Sequence, residues 1–320
     1  LAFKNDNIVG RIAGIKHGRE FIEKKLVRFG WIDFIDNQQV SHKLIESVES
    51  WAINLGAKAI HGPLGFSDMD FEGLLVEGFD SMATIATIYN YSYYKEHLEH
   101  LGFNKAADWI ELEGEFDPAI DEKFTRAVNF LSERFEIEPI HLRNSKDIQF
   151  YGMKMFEVIN KAYLDLYGFY PLRKSESSYI VRKYLSYVKP KHLSFIKNHK
   201  GELIAYGITM PSLSTSFQKA KGRLFPFGIV HIVKALLFNK NFDLYLIGVH
   251  PDYLNTGAIS LVFYEIWKNL KSLNVKRIRA NPVLDDNKRM ISLWKSITKS
   301  KDLNFSDHII KRRRCFIKPI

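Results

Sequence analysis

Residues Leu244 to Leu270, LYLIGVHPDYLNTGAISLVFYEIWKNL, gather the groups best spaced to do chemistry. Leu244 to Val249 is a continuous apolar run, which predicts a buried strand. Pro251 ends it, because proline has no N–H to give to a ladder. A polar turn, Asp252 to Thr256, leads to Gly257 and Ala258. From Ile259 the apolar residues recur at Val262, Phe263, Ile266, Trp267 and Leu270, one face of a helix. A strand passing through a small-residue turn into a helix aims backbone N–H groups at one spot. Added to the helix dipole, this predicts an anion site suited to a phosphate. Gly257, without a Cβ, lets the backbone come close to such a ligand.

Val249-His250-Pro251-Asp252-Tyr253 followed by Gly257-Ala258 resembles the acyl-CoA loop of the GNAT superfamily of N-acetyltransferases. There a V-x-P-x-[YW] segment ends the strand and [RQ]-x-x-G-x-[GA] opens the helix. Gly257 stands at the central glycine, Leu254 replaces the Arg or Gln, and Ile259 replaces the last small residue. Asn287-x-x-Met290-x-x-Leu293-Trp294 is similar to the family's N-x-x-[AS]-x-x-[LF]-Y helix. The resemblance implies acetyl-CoA or another acyl-CoA held by Gly248, Val249, Leu254, Asn255, Thr256, Gly257, Ala258, Ile259, Ser260, Asn287 and Trp294.

Acyl transfer in that family is direct: an amine attacks the thioester, often with a carboxylate base acting through water. Backbone N–H at the splayed first parallel strand binds the thioester oxygen. A tyrosine on the last helix often protonates the leaving thiolate. Trp294 holds that place here, and an indole N–H is no useful acid. Tyr253 and Tyr264 are the nearby phenols, with Tyr253 entered as a catalytic candidate. Asp285, after the second parallel strand, is the candidate base; its other reading is a carboxylate favouring the next helix dipole. His250 is a weaker candidate.

The elements that must position these groups recur along the chain. Phe3 to His17 reads as a hairpin, Phe29 to Ile35 as a strand, Val40 to Leu55 as an amphipathic helix capped by Gly56, and Ala57 to His61 as a strand. The same order returns around Leu244 to Pro282, with similar exits Leu55-Gly-Ala-Lys-Ala-Ile60 and Leu273-Asn-Val-Lys-Arg-Ile278. An internal duplication follows, each half giving a right-handed crossover and a parallel strand pair. Tyr89 to Phe103 reads as a helix and Asp108 to Leu112 as a strand. The ending EHLEHLGFNKAADW is similar to the close of a GNAT domain, while Asn37-Gln38-Gln39 stands where a glycine loop would be. The expected fold class is α+β, two tandem GNAT-like domains: 1–118 without a CoA loop and N-terminally incomplete, and 119–320 with the acyl-CoA loop. In the second, Arg314 to Ile317 is expected to close its sheet. Pro211 to Lys240 is an insertion, read either as cover for a sheet edge or as a wall of the acceptor pocket.

Charge and composition bound the function. The chain has 320 residues, 46% of them hydrophobic and 26% charged, with a net charge of +10. This suits a globular protein with an anionic ligand. The one dense basic run, Lys311-Arg312-Arg313-Arg314, is expected to be solvated, and a nucleic-acid partner is not expected. Asp68, Asp70, Glu72 and Glu77 lie in an acidic, glycine-rich stretch but lack calcium-loop spacing, so no metal is expected there. No apolar run reaches the ~20 residues needed to span a bilayer, so no membrane partner is expected. Cys315 is the only cysteine, which fits a cytoplasmic location. Three functions fit: an N-acyltransferase acting on a small-molecule or peptide amine, a GNAT-fold binding or regulatory protein without turnover, and a transferase using aminoacyl-tRNA.

Overall fold

The first half runs β1 (Ala2–Lys4), β2 (Asn7–Ile15), α1 (Gly18–Lys24), β3 (Leu26–Phe34), α2 (Gln38–Asn54), β4 (Ala59–Gly62), β5 (Leu74–Glu77), α3 (Tyr93–His100) and β6 (Asn104–Glu115). After α4 (Glu122–Arg134) come β7 (Glu138–Pro139), α5 (Ser145–Ala162), α6 (Lys174–Lys183), β8 (Leu193–Lys197), β9 (Leu203–Pro211), α7 (Ser214–Ala220) and α8 (Gly228–Phe238). The last part is β10 (Asn241–Val249), α9 (Ala258–Ser272), β11 (Arg277–Leu284), α10 (Lys288–Ile297) and β12 (Ile309–Pro319). This computed structural model describes residues 1–320 except 68, 120–121, 186–187 and 299–307, and the backbone alone at 289 and 295–297. Among the described residues no helix is long and apolar enough to cross a membrane.

All strands of the described residues join one sheet in the order β1-β2-β3-β4-β12-β6-β11-β10-β9-β8-β7, with β5 paired to β12. The two expected parallel pairs are present, β3 with β4 and β10 with β11. Each is bridged by one long helix, α2 or α9. Helix α9 buries Ile259, Val262, Phe263, Ile266 and Leu270. Gly207 of β9 gives it room, since a Cβ there would stand 2.7 Å from Ile266 and 2.8 Å from Val262.

The closing strands are exchanged, which corrects the expectation that Arg314–Ile317 closes the second unit. Strand β12 lies between β4 and β6, both of the first half, and β6 reaches β11 of the second. An apolar strand pattern specifies burial but not the edge it pairs with. The basic run is also not solvated, because it sits in this central strand. Lys311 and Arg313 are buried at 1% and 0% exposure. Lys311 Nζ donates to the carbonyls of Gly78 and Ser81. Arg313 pairs with Glu111 at 2.7 Å and donates to Ile88 O. These cations fasten the acidic, glycine-rich stretch onto the sheet. Asp70 takes the Ser67 N–H and Glu77 pairs with Arg312, so those two carboxylates serve separate partners; Asp68 lies outside the described residues.

Candidate functional site

Strands β10 and β11 pair from Asn241↔Arg277 to Leu244↔Ala280 and then part. Register shifts fall at that point on both, between Leu244 and Leu246 against β9 and between Ala280 and Val283 against β6. Pro282, lacking an N–H, suits the second irregularity. The opening is a cleft of about 330 Å³ walled by Leu244 to Ile247, Ala280 to Leu284, Trp109, Tyr163, Tyr167 and Met290, with Asp70 and Glu72 at its edge. Tyr163 Oη donates to Ile247 O at 2.9 Å. The N–H and C=O of one strand residue share an edge, so the Ile247 N–H also faces this cleft.

The equivalent place in the first unit is filled. Past the pairing of Leu26–Arg28 with Ala59–His61, Leu64 N donates back to Phe29 O at 2.9 Å. Leu64 is fully buried, and a Cβ on Gly30 would meet its carbonyl oxygen at 2.2 Å. Asn37 caps α2 by accepting from Gln39 N and Val40 N. At α9 the cap is Gly257, with φ 79° and no side chain. Thr256 Oγ1 donates to Tyr253 O at 2.8 Å and accepts from the Ala258 N–H at 3.4 Å. Among the described residues no side chain caps Ile259 or Ser260.

The residues singled out from the sequence are dispersed around this frame. Leu254 and Asn255 are exposed, whereas Gly248, Val249, Ala258 and Ile259 are buried. Gly248 packs against the Tyr206 ring, and the Cβ side of Gly257 is filled by Leu131 of α4, 2.6 Å from where a Cβ would stand. The glycine there answers a left-handed φ and a packed leucine as well as any ligand. Asn287 lines the cleft and caps α10 through Met290 N. Trp294, expected on a ligand wall, is 0% exposed and packs in the hydrophobic core beside α9. Its spacing on α10 turns it inward together with Leu293 and Met290. Tyr253 Oη accepts from Asn198 Nδ2 at 2.8 Å, on the β8–β9 hairpin side. Asp285 accepts from Arg312 at 3.0 Å and sits 3.6 Å from Lys105 Nζ, in a neighbouring cleft. The structure does not bring Tyr253 and Asp285 together. Residues 211–240 line neither of these two clefts, while Ser214, Phe217 and Gln218 line a recess with Phe79 to Ile85.

A buried relay that sequence reasoning missed ends on the cleft wall. Glu20, Arg28 and His61 are 1%, 0% and 1% exposed. Arg28 Nε stands 2.5 Å from Glu20 Oε2, while its Nη1 and Nη2 donate to the carbonyls of Gly65 and Gly168. His61 Nε2 lies 3.2 Å from Glu20 Oε1, and His61 Nδ1 lies 2.8 Å from Tyr167 Oη. Burial alone pushes the Glu20 carboxyl up, but hydrogen bonds from His61 and Arg28 outweigh it and hold it at about 2. An ionised Glu20 beside Nε2 favours the proton on that nitrogen, the tautomer in which Nδ1 is free to accept from the Tyr167 hydroxyl. Burial pushes the Tyr167 phenol well above its ordinary range. Tyr167, with Leu166 and Leu284, separates the splay cleft from the second cleft of about 680 Å³ that holds Lys105, Asp108 and Asp285. His61 and Tyr167 are 106 residues apart, so no local spacing could have joined them.

No family model matches the chain. Among curated proteins it is similar to protein YghO of Escherichia coli K12, 27% identical over 264 residues, covering 79% of this chain and 65% of that protein. It is also similar to the bacterial ceramide synthase of Caulobacter vibrioides, 24% identical over 277 residues, covering 84% of this chain and 71% of that protein. The chain therefore spans about two thirds of the length of these relatives. Among solved structures it is similar to a tandem GNAT protein from the clavulanic acid biosynthesis pathway, at TM-score 0.50 and 9% identity, covering 99% of this chain and 81% of that one. A second is a GCN5-related glucosamine N-acetyltransferase region of a fungal multi-domain GH3 β-N-acetylglucosaminidase, at TM-score 0.54 and 13% identity, covering 98% of this chain and 32% of that one. At such identities the likeness is one of fold. The chain has a tandem GNAT-like fold of the α+β class.

Proposed function

We propose that the chain is an N-acyltransferase using an acyl-CoA, with 1–118 and 119–320 as its two units and the donor on the second. The observation that carries this is the asymmetry of the two splays: that of β10–β11 is open beside a helix start without a side-chain cap at Ile259 or Ser260, and that of β3–β4 is sealed by Leu64. In this reading the pyrophosphate rests on the N–H groups of Ile259 and Ser260, and the thioester enters the cleft. The Ile247 N–H then meets the thioester oxygen as charge develops. The amine arrives from the second cleft, and Tyr167 stands between the two. As the N–C bond forms, Tyr167 takes the amine proton and passes its own to His61 Nδ1. Glu20 balances the imidazolium, as the carboxylate does in a nucleophile–His–acid triad. When the C–S bond breaks, the proton returns through Tyr167 to the thiolate.

A ceramide is the N-acyl derivative of a long-chain amino alcohol, so the name of the Caulobacter relative describes amide formation. That supports a long-chain amine as acceptor, and the apolar cleft walls suit an acyl chain. Asp285 is the other candidate base. Tyr167→Phe is expected to lower kcat by about 10²–10⁴, the usual weight of one acid–base group, while Asp285→Asn changes it by less than about threefold. The assay incubates protein with acetyl- or palmitoyl-CoA and either a long-chain amino alcohol or a short amine, and reads amide by mass spectrometry. The opposite ranking would make Asp285 the base. Stabilisation by acyl-CoA without any amide would favour a binding protein, the reading supported by Trp294 standing buried where an acid is wanted. Neither stabilisation nor product would remove the donor site.

A further inference from the structure

The helical hairpin α7–α8 presents to solvent what a helix of a globular protein hides. Helix α8 exposes Ile229, Val230, Val233, Leu236, Leu237 and Phe238, a broad stripe at helical spacing, while its buried residues are Gly228 and Ala235. At the turn before it, Phe225 and Phe227 are 72% and 74% exposed, and Leu224 is exposed beside them. A contiguous apolar patch of this kind marks an interaction surface. Its charge is one-sided. Residues 211–240 contain no Asp or Glu, although the chain has 36, and they carry Lys219, Lys221, Arg223, Lys234 and Lys240.

We propose that this hairpin docks on the surface of an anionic lipid bilayer. Leu224, Phe225 and Phe227 enter the boundary between headgroups and acyl chains, and α8 lies along it with its exposed stripe down. The cations meet lipid phosphates, which is the chemistry of an interfacial helix. At 11 residues α8 is too short to span a bilayer. Leu224, Phe225 and Phe227 stand exposed together on the turn between α7 and α8. Among the described residues, α7 packs on the stretch around Met82, through Thr215 and the recess lined by Phe79 to Ile85. That stretch continues into Ala86 and Thr87 on the wall of the splay cleft. Docking would hold the cleft close to the membrane plane. The inference goes beyond the acyl-transfer reading and does not need it, since vesicle binding requires no turnover.

The test is flotation of the purified chain with vesicles of phosphatidylcholine alone or mixed with phosphatidylglycerol, at low and high salt. The expected result is flotation with the anionic vesicles, weakened by salt as surface electrostatics require. The double variant F225S/F227S is expected to lose about tenfold or more in partitioning, as loss of two buried rings demands. The charge variant K219E/K221E/R223E should lose the preference for anionic lipid. Circular dichroism and thermal melts check that both variants fold as the parent does. Absence of flotation with anionic vesicles would overturn the proposal, as would unchanged flotation of folded F225S/F227S. If the parent fails to float and sediments as a dimer that F225S/F227S dissociates, the face joins two copies and the bilayer proposal falls.

Discussion

Glu20 carries a full charge at 1% exposure, and it does so because Arg28 and His61 reach both of its oxygens. Its folded value of about 2 lies below the ordinary 4.5. A depressed carboxylate contributes stability that is complete above the ordinary value and is lost as pH falls through the folded one. The contribution is roughly 3 kcal/mol for a shift of this size, withdrawn between about pH 4.5 and 2. Denaturant melts across pH 2 to 7 should show that slope, and Glu20→Gln should abolish it. The variant should also lose about 3–5 kcal/mol at pH 7, since it leaves Arg28 buried without its counter-charge. An unaltered slope in Glu20→Gln would mean that another carboxylate governs acid unfolding. The same carboxylate favours the proton on His61 Nε2, so in the proposed mechanism stability and the readiness of Tyr167 share one cause.

Between the two long crossover helices, the difference lies in their first turns. Asn37 satisfies the start of α2 from its own side chain, whereas Gly257 at α9 has none to offer. Ser260 sits in that first turn, and Ser260→Asp separates folding from ligand binding. A carboxylate there favours the helix dipole by about 0.3–1 kcal/mol, so the melting temperature should hold or rise. The same charge repels a pyrophosphate, and acyl-CoA affinity measured by calorimetry should fall about tenfold or more. Equal affinity in parent and variant would place the phosphates elsewhere. Gly257 itself is a poorer probe, because any side chain there meets Leu131 and a left-handed backbone.

At the scale of the whole molecule, exchange of β6 and β12 ties the halves into one sheet. Strand β12 pairs with β4, β5 and β6, and β6 in turn with β11. Neither half keeps its sheet if the other unfolds. Calorimetry should therefore show one transition whose calorimetric and van't Hoff enthalpies agree, the mark of a cooperative unit. Cys315→Asp, a carboxylate at a fully buried position of β12, should lower that single transition as a whole. Two separated transitions in the parent would show that the halves fold independently despite the shared strands.

The sequence by itself determined what local period and turn chemistry encode. The two parallel strand pairs, their crossover helices, the glycine at the start of α9 and the α+β class were all legible from runs such as Leu244 to Leu270 and Val40 to Leu55. Helix α1 was not, because GREFIEK is short and polar and draws its place from the buried pair of Glu20 and Arg28. Only tertiary structure decided partners. A strand pattern reports that a face is buried, not which edge lies beside it, so Arg314 to Ile317 read as closing its own unit. A charge run reads as solvated until backbone carbonyls such as those of Gly78 and Ile88 are brought to it. The open cleft, the sealed one and the Glu20–His61–Tyr167 relay arise where segments far apart in the chain meet. Packing and hydrogen bonding act across space, and periodicity along the chain carries no record of that distance.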